Sequence, residues 1–388
     1  MASRRQPAAP PERQTPPLND ELLEDIFLRL SSPIDLARVS ASCFAFRHVI
    51  SEPHFLRQYR AIHPPLLLGC LLDGFRPGGF RPAVAPHPNA TAARALAGAT
   101  TGFNFNYLPL GRWMCTDICD GRVLLRQRCN GSAVSPDLAV CDPLSRRYLL
   151  IPPIPDDIIA STHVQKRGFS FGAFLVPSSN LEDTWFKVVA RMSDMERLVI
   201  YIFSSEFGYR SVGTSTSWGD VGVNDPATSY QYWARYDHRC FLWNEANRNQ
   251  VLKLDINTME FSSTDLPPGD IWRHVVTADA AEGRLAMFTM IKNSTTVSYY
   301  TKNEGQRTNE WQLEKTIPLP CQCKLLCASA GYIFLMSTKK RDMTIFSAIY
   351  SLEIKTLKVE RLCSTEMLYA YHVHPYFGFP PFLSLRRI

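Results

Sequence analysis

Histidines and cysteines are the side chains of this 388-residue chain whose spacing could support chemistry. His372 and His374 stand two residues apart, which in a strand places both rings on one face, where they could bind a metal with a third ligand. Cys321, Cys323 and Cys327 form a group of thiols, but their spacing fits no zinc pattern and no histidine stands nearby. We therefore expect no metal and no other cofactor at either place.

The remaining histidines give little support to a catalytic function. His163, His238 and His274 are isolated, and the chain has no H-E-x-x-H zinc pattern and no glycine-rich phosphate loop. A lone histidine in a strand-rich protein is usually structural or on the surface. A non-catalytic binding protein is favoured, and an enzyme stays open as the weaker alternative.

The composition indicates a globular protein of the cytoplasm or nucleus. Hydrophobic residues make up 45% of the chain, enough for one small and one large domain. The formal net charge of +6 is modest and scattered, so we expect no nucleic-acid partner. The N-terminus has no apolar segment typical of a secretory signal, and the run from Leu66 to Leu72 is far shorter than the ~20 residues of a membrane span. Eleven irregularly spaced cysteines are typical of reduced thiols in such a compartment.

The stretch from Pro17 to Tyr59 predicts three short helices. Asn19 or Asp20 can cap the first helix, and Ser32-Pro33-Ile34-Asp35 carries the serine, proline and carboxylate that start a second. A third is expected to end before Pro53, because the residue ahead of a proline avoids the helical region. Together these helices carry more apolar surface than so few residues can bury, so we expect a partner.

This stretch resembles the F-box, the helical module that docks onto the Skp-family adaptor of a cullin-type ubiquitin ligase. The matching positions are Leu18, Glu21, Leu22, Leu23, Ile26, Phe27, Leu30, Asp35, Leu36, Val39, Cys43, Arg47, Ile50, Pro53 and Phe55. Two positions depart from the family pattern: Asn19 stands where proline is usual, and Phe46 where tryptophan is usual. The resemblance implies that an adaptor, and a cullin through it, are partners. It also implies an adaptor-binding set comprising Leu18, Leu22, Leu23, Ile26, Leu30, Leu36, Val39, Cys43, Phe46 and Ile50.

From Trp113 onward the sequence repeats two turn patterns at a period of about 50 residues. In the first, a short turn precedes an apolar strand, as at Asp120-Gly121 and Ala330-Gly331. In the second, a carboxylate opens a turn and a serine or threonine follows three residues later, as at Asp142, Asp255 and Glu353. About four strands per repeat predict an all-β propeller-like domain of about six kelch-sized blades. An irregular β-sandwich with similar hairpins stays open as the alternative.

This second part is similar to the propeller-type associated domain that follows the F-box in many plant F-box proteins. The similarity implies a substrate receptor: the F-box binds the adaptor, and the propeller binds a target protein that the sequence does not identify. Aromatic side chains between the blades are candidates for target contact by their type, namely Trp218, Tyr232, Trp233 and Trp272. A third possibility is an adaptor-binding interaction protein that has no role in ubiquitin transfer.

The predicted fold class is therefore multidomain, with a small all-α F-box of three helices followed by the propeller-like domain. Residues 1–16 are expected to be a disordered proline- and alanine-rich tail, and residues 17–60 the F-box. Residues 61–112 are expected to be a connector with a long loop from Gly74 to Gly98 and a possible first blade strand. The propeller-like domain is expected to fill residues 113–388. Because a propeller must hide its terminal edges, we expect the run from Leu66 to Leu72 to pair beside the C-terminal strand.

Overall fold

The structure is a computed structural model, and it describes residues 18–74, 79–99, 102–127, 136–162, 170–177, 185–221, 231–237, 240–245, 250–269, 273–280, 284–292, 294–302, 310–341, 344–365 and 370–378. The chain is mostly β, with few helices. It divides into two compact units, Met1–Pro64 and Pro65–Ile388. We call them the helical unit and the β unit. The predicted disordered tail lies outside the described residues.

The described part of the helical unit contains four helices: α1 (Asp20–Leu28), α2 (Pro33–Ser42), α3 (Phe44–Ser51) and α4 (Pro53–Ile62). Two of the predicted starts are confirmed. The side chain of Asn19 accepts a hydrogen bond from the backbone N–H of Leu22 at 3.0 Å, and Ser32 Oγ accepts one from Asp35 N–H at 3.3 Å. These bonds satisfy backbone donors that the first turn of a helix leaves unpaired.

Helix α4 corrects the expectation of three helices. Pro53 ends α3 as predicted, but it also begins the next helix, because proline at the first helical position loses no hydrogen bond. The Tyr59 hydroxyl donates to the carbonyl of Leu30 at 2.8 Å, and His54 Nε2 lies 2.7 Å from the Glu24 carboxylate. Helix α4 thereby joins α1 in one bundle.

The β unit begins with β1 (Leu66–Gly74), β2 (Phe80–Pro82), α5 (Ala90–Ala99) and a 3-10 turn at Gly102–Asn104. Two antiparallel four-stranded sheets follow. The first contains β3 (Trp113–Cys119), β4 (Arg122–Gln127), β5 (Leu138–Asp142) and β6 (Arg147–Ile151). After helix α6 (Asp156–Ala160), the second contains β7 (Ser170–Val176), β8 (Lys187–Ser193), β9 (Arg197–Ser204) and β10 (Gly208–Ser217). A third contains β11 (Gln231–Asp237), β12 (Cys240–Glu245), β13 (Gln250–Asp255) and β14 (Phe261–Asp265).

The last long sheet has seven strands: β15 (His274–Ala280), β16 (Arg284–Met290), β17 (Ser294–Lys302), β18 (Gln312–Ser329), β19 (Tyr332–Arg341), β20 (Thr344–Glu353) and β21 (Val359–Thr365). Its long strand β18 pairs with β17 through its first half and with β19 through its second half. It therefore joins two four-stranded meanders of the same kind as the others. The C-terminal strand β22 (Ala370–Gly378) belongs to a separate sheet with β1 and β2.

The predicted carboxylate turns recur between the third and fourth strands of three meanders. In the first, the Asp142 carboxylate accepts from Leu144 N–H at 3.0 Å and from Ser145 Oγ at 2.7 Å. Asp255 accepts from two turn amides in the same way, and Glu353 accepts from Thr356 Oγ1 at 2.6 Å. The residue four positions after each carboxylate has a positive φ; these residues are Arg146, Met259 and Leu357. The repeat seen in the sequence is thus a repeat of turn geometry.

Helix α5 replaces the long loop expected from Gly74 to Gly98. Glycine and proline favoured a loop at this place, but six of the ten residues of α5 are alanine, the best helix former. Ala92, Ala93 and Leu96 recur at helical spacing and are buried. The connector therefore belongs to the β unit.

Each meander packs on the next through an apolar cluster. The first packs on the second through Leu124, Val140, Leu175 and Val188, and the second on the third through Ile200 and Leu254 among others. Further clusters join the third meander to β16, the two meanders that share β18, and the last of these to β1 and β22. Strand β22 also passes β3, with Cα atoms within 8 Å.

Strands from the two ends of the β unit pair as the sequence predicts. Strand β1 is antiparallel to β22, with Leu66 opposite Gly378 and Leu72 opposite Val373. Leu67, Cys70 and Val373 are buried in the shared core. The pairing covers a strand edge that either end alone would leave open.

Candidate protein-docking site

Helix α1 has apolar side chains on two faces, and only one of them is buried. Leu23 and Phe27 point into the helical unit, where the Phe27 ring meets the edge of Phe46 at 5.2 Å between centroids. Leu18, Leu22 and Ile26, spaced four residues apart, remain 53%, 50% and 46% exposed. Leu22 and Ile26 lie above one another on the helix, and Leu18, directly before the N-cap residue Asn19, extends this exposed apolar row in sequence. We call it the α1 row.

The start of α3 adds an aromatic ring to the exposed apolar surface of this unit. Cys43 is in extended conformation between α2 and α3, and its Sγ caps α3 by accepting from Phe46 N–H at 3.4 Å. The next side chain, Phe44, is 84% exposed. Sequence reasoning missed Phe44 because the F-box resemblance, through which Phe46 was identified, does not include position 44.

The predicted adaptor-binding residues divide into three groups. Leu18, Leu22, Ile26 and Cys43 are exposed, and Leu30, Val39 and Phe46 are partly buried. Leu23, Leu36 and Ile50 are buried inside the helical unit, which corrects their assignment as contact residues. Their role is to hold the helices together and so to position the α1 row.

The predicted target-contact residues receive one correction. Trp218 is buried, packs against Leu252 and Leu254, and donates its indole N–H to the carbonyl of Asp194 at 2.8 Å. It is therefore a core residue between two meanders. The side chains of Tyr232 and Trp233, and all of Trp272, lie outside the described residues.

Cationic side chains affect two histidines, His274 at the start of β15 and His372 near the start of β22. Burial lowers the pKa of His274, and the charges of Lys324 and Lys292 lower it further. Burial also lowers the pKa of His372, with Arg126 and then Lys324 adding to the effect. Lys324 on β18 acts on both rings, so this end of the strands, which we call the basic end, could contact acidic groups.

His372 and His374, which first suggested a metal site, have the arrangement predicted from their spacing. The His372 and His374 rings lie 6.2 Å apart between centroids, on one face as predicted. Among the described residues, however, no group of three or more His, Cys, Asp or Glu side chains could hold a metal ion.

A G-x-S-x-G pattern also occurs, from Gly168 to Gly172, and the sequence reasoning overlooked it. In hydrolases this pattern places a nucleophilic serine on a sharp turn between a strand and a helix. Here Ser170 is the first residue of a strand, β7, and its Oγ accepts a hydrogen bond from Arg191 at 3.1 Å. A strand rather than a helix follows Ser170, so the described half of the pattern lacks the helix of a nucleophile elbow.

No family model and no curated protein matches this sequence. Among solved structures, TolB from Acinetobacter baumannii is 10% identical with a TM-score of 0.37, and the match covers 70% of this chain and 59% of that one. The nidogen–laminin complex is 9% identical, with a TM-score of 0.38, over 70% of this chain and 88% of the other. A putative 6-phosphogluconolactonase from Bacteroides fragilis is 10% identical, with a TM-score of 0.32, over 63% and 82%. Likenesses at these scores carry no argument about fold or function.

The structure is that of a mostly β protein with an N-terminal helical unit that presents an apolar row. In the described part of the chain, no helix is long and apolar enough to cross a membrane.

Proposed function

We propose that this chain is the substrate-recognition subunit of a Skp–cullin–F-box type E3 ubiquitin ligase. The helical unit is its F-box and binds a Skp-family adaptor, which connects it to a cullin. The β unit binds the target protein. The α1 row carries this proposal, because three large apolar side chains stay half exposed on and just before a helix whose other face builds a core.

The energetics of the α1 row favour a protein partner. Burying a leucine or isoleucine side chain completely is worth roughly 1.5–3 kcal/mol, so the exposed halves of Leu18, Leu22 and Ile26 together offer roughly 2–4 kcal/mol to a partner that covers them. Phe44 adds a large aromatic group of the kind that often dominates binding energy. A small helical module whose function is docking would leave such a surface open.

For the β unit we propose a closed propeller of six blades of the plant F-box-associated kind. Support comes from the shared apolar clusters between consecutive sheets, the pairing of β1 with β22, and the approach of β22 to β3. Closure would place the first strands of the blades around a central axis, and the basic end would surround one opening of it. Because the basic end is cationic, this opening would bind an acidic segment of the target.

The proposed mechanism is proximity, and the chain itself contributes no catalytic group. A target held on the β unit gains a high effective concentration near the thioester-linked ubiquitin of the complex. The proposal places the protein in the cytoplasm or nucleus, where the adaptor and cullin would be found.

Co-purification tests this function and separates it from its alternatives. The full chain should co-purify with both a Skp-family adaptor and a cullin, and Ile26→Asp should lose both, because an unpaired carboxylate buried in an apolar contact costs several kcal/mol. Recovery of the adaptor without the cullin would instead favour a non-ligase interaction protein. Recovery of neither would contradict the F-box assignment and reopen the enzyme alternative.

The target-binding part needs its own experiment. Proximity labelling by the full chain should mark a set of proteins, and Lys324→Glu should remove those with acidic segments while adaptor binding is retained. Lys315→Glu, on an exposed position of the same strand, is the matched control. Identical labelled sets for the wild type and Lys324→Glu would exclude the basic end as the target site.

A further inference from the structure

Two thiols lie side by side on β18, where this strand passes from one meander to the next. The Sγ atoms of Cys321 and Cys323 are 3.9 Å apart. Residues two apart in a strand face the same side, which brings these sulfurs together. The pairing with β17 jumps from Pro318 to Cys323, so the segment between them lies outside the regular ladder. It can therefore bend more easily than a paired strand.

The two thiols have unequal surroundings. Cys321 is partly exposed, and burial alone would raise its pKa. Hydrogen bonds with Ser337, Tyr350 and Cys323, followed by the charge of Lys339, outweigh that effect and bring the pKa below its ordinary value. Cys323 is buried, and burial first, then its neighbour Cys321, raises its pKa to about 12. Cys321 therefore forms the reactive thiolate more readily than Cys323, which remains a thiol.

We propose that Cys321 and Cys323 form an oxidant-sensing pair that hydrogen peroxide converts into an intrastrand disulfide. In the first step the Cys321 thiolate attacks one peroxide oxygen: an S–O bond forms, the O–O bond breaks, and the leaving hydroxide takes up a proton to become water. In the second step the Cys323 sulfur attacks the Cys321 sulfur: an S–S bond forms and the S–O bond breaks. The departing hydroxide takes the Cys323 proton. The two sulfurs lose two electrons in total, and the peroxide gains them.

The surroundings suit both steps. The Tyr350 hydroxyl lies 3.6 Å from Cys321 Sγ. Burial, followed by its contact with Cys321, raises the pKa of Tyr350 to about 12, so it stays protonated and can donate to the thiolate. A disulfide needs sulfurs about 2.05 Å apart, so they must approach by roughly 2 Å, and the segment outside the regular ladder can move to allow it. This pair belongs to the β unit and does not depend on the proposed ligase function.

A second pair of cysteines provides an internal control. The Sγ atoms of Cys70 and Cys363 are closer, at 3.4 Å, but both residues are fully buried. The hydrogen bond to Cys363, followed by burial, holds the pKa of Cys70 well above its ordinary value. If distance alone controlled oxidation, this pair would react first. If exposure and thiolate character control it, Cys321 and Cys323 react first.

The test treats the full chain with hydrogen peroxide, alkylates the remaining thiols under denaturing conditions, and digests with trypsin. Cleavage after Lys315 and Lys324 releases a peptide that contains Cys321, Cys323 and no other cysteine. We expect this peptide to be two hydrogens lighter and free of alkyl groups, while Cys70 and Cys363 are alkylated. Full alkylation of the peptide, at a dose that oxidises half of the exposed Cys43, would overturn the proposal. Oxidation of Cys70 and Cys363 before that of Cys321 and Cys323 would also overturn it.

Variants test the assigned roles of the two sulfurs. Cys323→Ser should stop the reaction at a sulfenic acid on Cys321, which dimedone captures, and Cys321→Ser should leave Cys323 unoxidised. Oxidation of Cys323 in the Cys321→Ser chain would contradict the assigned order.

A tyrosine substitution tests the activation of Cys321. Tyr350→Phe should slow alkylation of native Cys321 by roughly threefold, because a smaller thiolate fraction is partly offset by a stronger nucleophile. Tyr299→Phe makes the same change in the same core cluster and should leave the rate unchanged. Equal rates in the two variants would contradict the role of Tyr350.

Discussion

The two units of this protein treat apolar side chains in opposite ways. In the β unit, strands from its two ends meet so that Leu67 and Val373 are buried together. In the helical unit, the neighbours Leu22 and Leu23 differ sharply: Leu22 is half exposed and Leu23 is buried. A long chain of repeated sheets can cover its own apolar faces, whereas four short helices cannot cover both faces of α1. The difference teaches where to look for a partner: at the unit that is too small to bury its own surface.

The largest expected effect is on the solubility of the β unit. A chain ended at Glu366 loses β22, including the buried Val373 and Tyr376, and leaves β1 with an open edge. We expect it to aggregate, because an open edge offers unpaired backbone groups to other chains. Size-exclusion chromatography and light scattering measure this.

A chain ended at Gly378 keeps all of β22 and is the control for that truncation. It should remain soluble. If the chain ended at Glu366 is equally soluble, monomeric and heat-stable, the pairing of β1 with β22 is not what keeps the β unit soluble and stable.

The adjacent leucines of α1 sharpen the comparison within the helical unit. Leu23→Ala should destabilise this unit by ~2–4 kcal/mol, because it removes buried methyl groups and leaves a cavity. Leu22→Ala should change its stability by less than ~1 kcal/mol, because Leu22 is half exposed. Hydrogen exchange of the α1–α4 amides in the full chain measures both. Equal loss of protection in the two variants would contradict the division of α1 into an inner and an outer face.

Trp218 tests the reassignment of a target candidate to the core. Trp218→Phe removes the indole donor and leaves the carbonyl of Asp194 without this bond, which should cost the β unit ~1–3 kcal/mol. Urea unfolding monitored by circular dichroism measures the loss. An unchanged unfolding midpoint, together with a loss of bound target, would restore Trp218 as a contact residue.

The smallest effect expected is on the pH dependence of the β unit. Asn89 N–H donates to His87 Nδ1 at 3.2 Å. Burial is the largest effect on the pKa of His87 and lowers it; Glu360 raises it and Lys358 lowers it, and the net shift is downward. The unfolded chain takes up this proton near pH ~6.5, and the folded chain only at lower pH. Stability should therefore fall as the pH drops through 6.5 and level off below the folded-state pKa.

Burial also lowers the pKa of His274 and His372, so these residues act in the same direction. Unfolding midpoints in urea at pH 7 and pH 5 give the slope. His87→Gln should reduce the slope, and an identical slope would exclude His87 as a contributor.

Local signals predicted much of the fold. The caps at Asn19 and Ser32 and the turns at Asp142, Asp255 and Glu353 each depend on a few neighbouring residues, so the sequence determines them directly. The pairing of β1 with β22 was predictable from the edge rule, because both segments are apolar and neither has a neighbour in sequence.

The errors arose where tertiary packing decides between local possibilities. Pro53 was interpreted only as a stop, although proline equally starts a helix, and the alanines of α5 were outweighed by nearby glycine and proline. Helical spacing placed both Leu22 and Leu23 in an apolar helix, but the packing of α1 against α3 and α4 determines which of them is buried. Trp218 was chosen by residue type, and type alone does not distinguish a buried indole from an exposed one.

The most direct test of the central claim is a calorimetric titration of the full chain with a purified Skp-family adaptor. We predict saturable binding by the wild type and at least a ~100-fold weaker Kd for Leu22→Asp and for Ile26→Asp, with the helical circular dichroism unchanged. Gln58→Glu, which adds a carboxylate at an exposed polar position of α4, should bind like the wild type. If the wild type does not bind, or if both aspartate variants bind as tightly as it does, the α1 row is not an adaptor-docking surface.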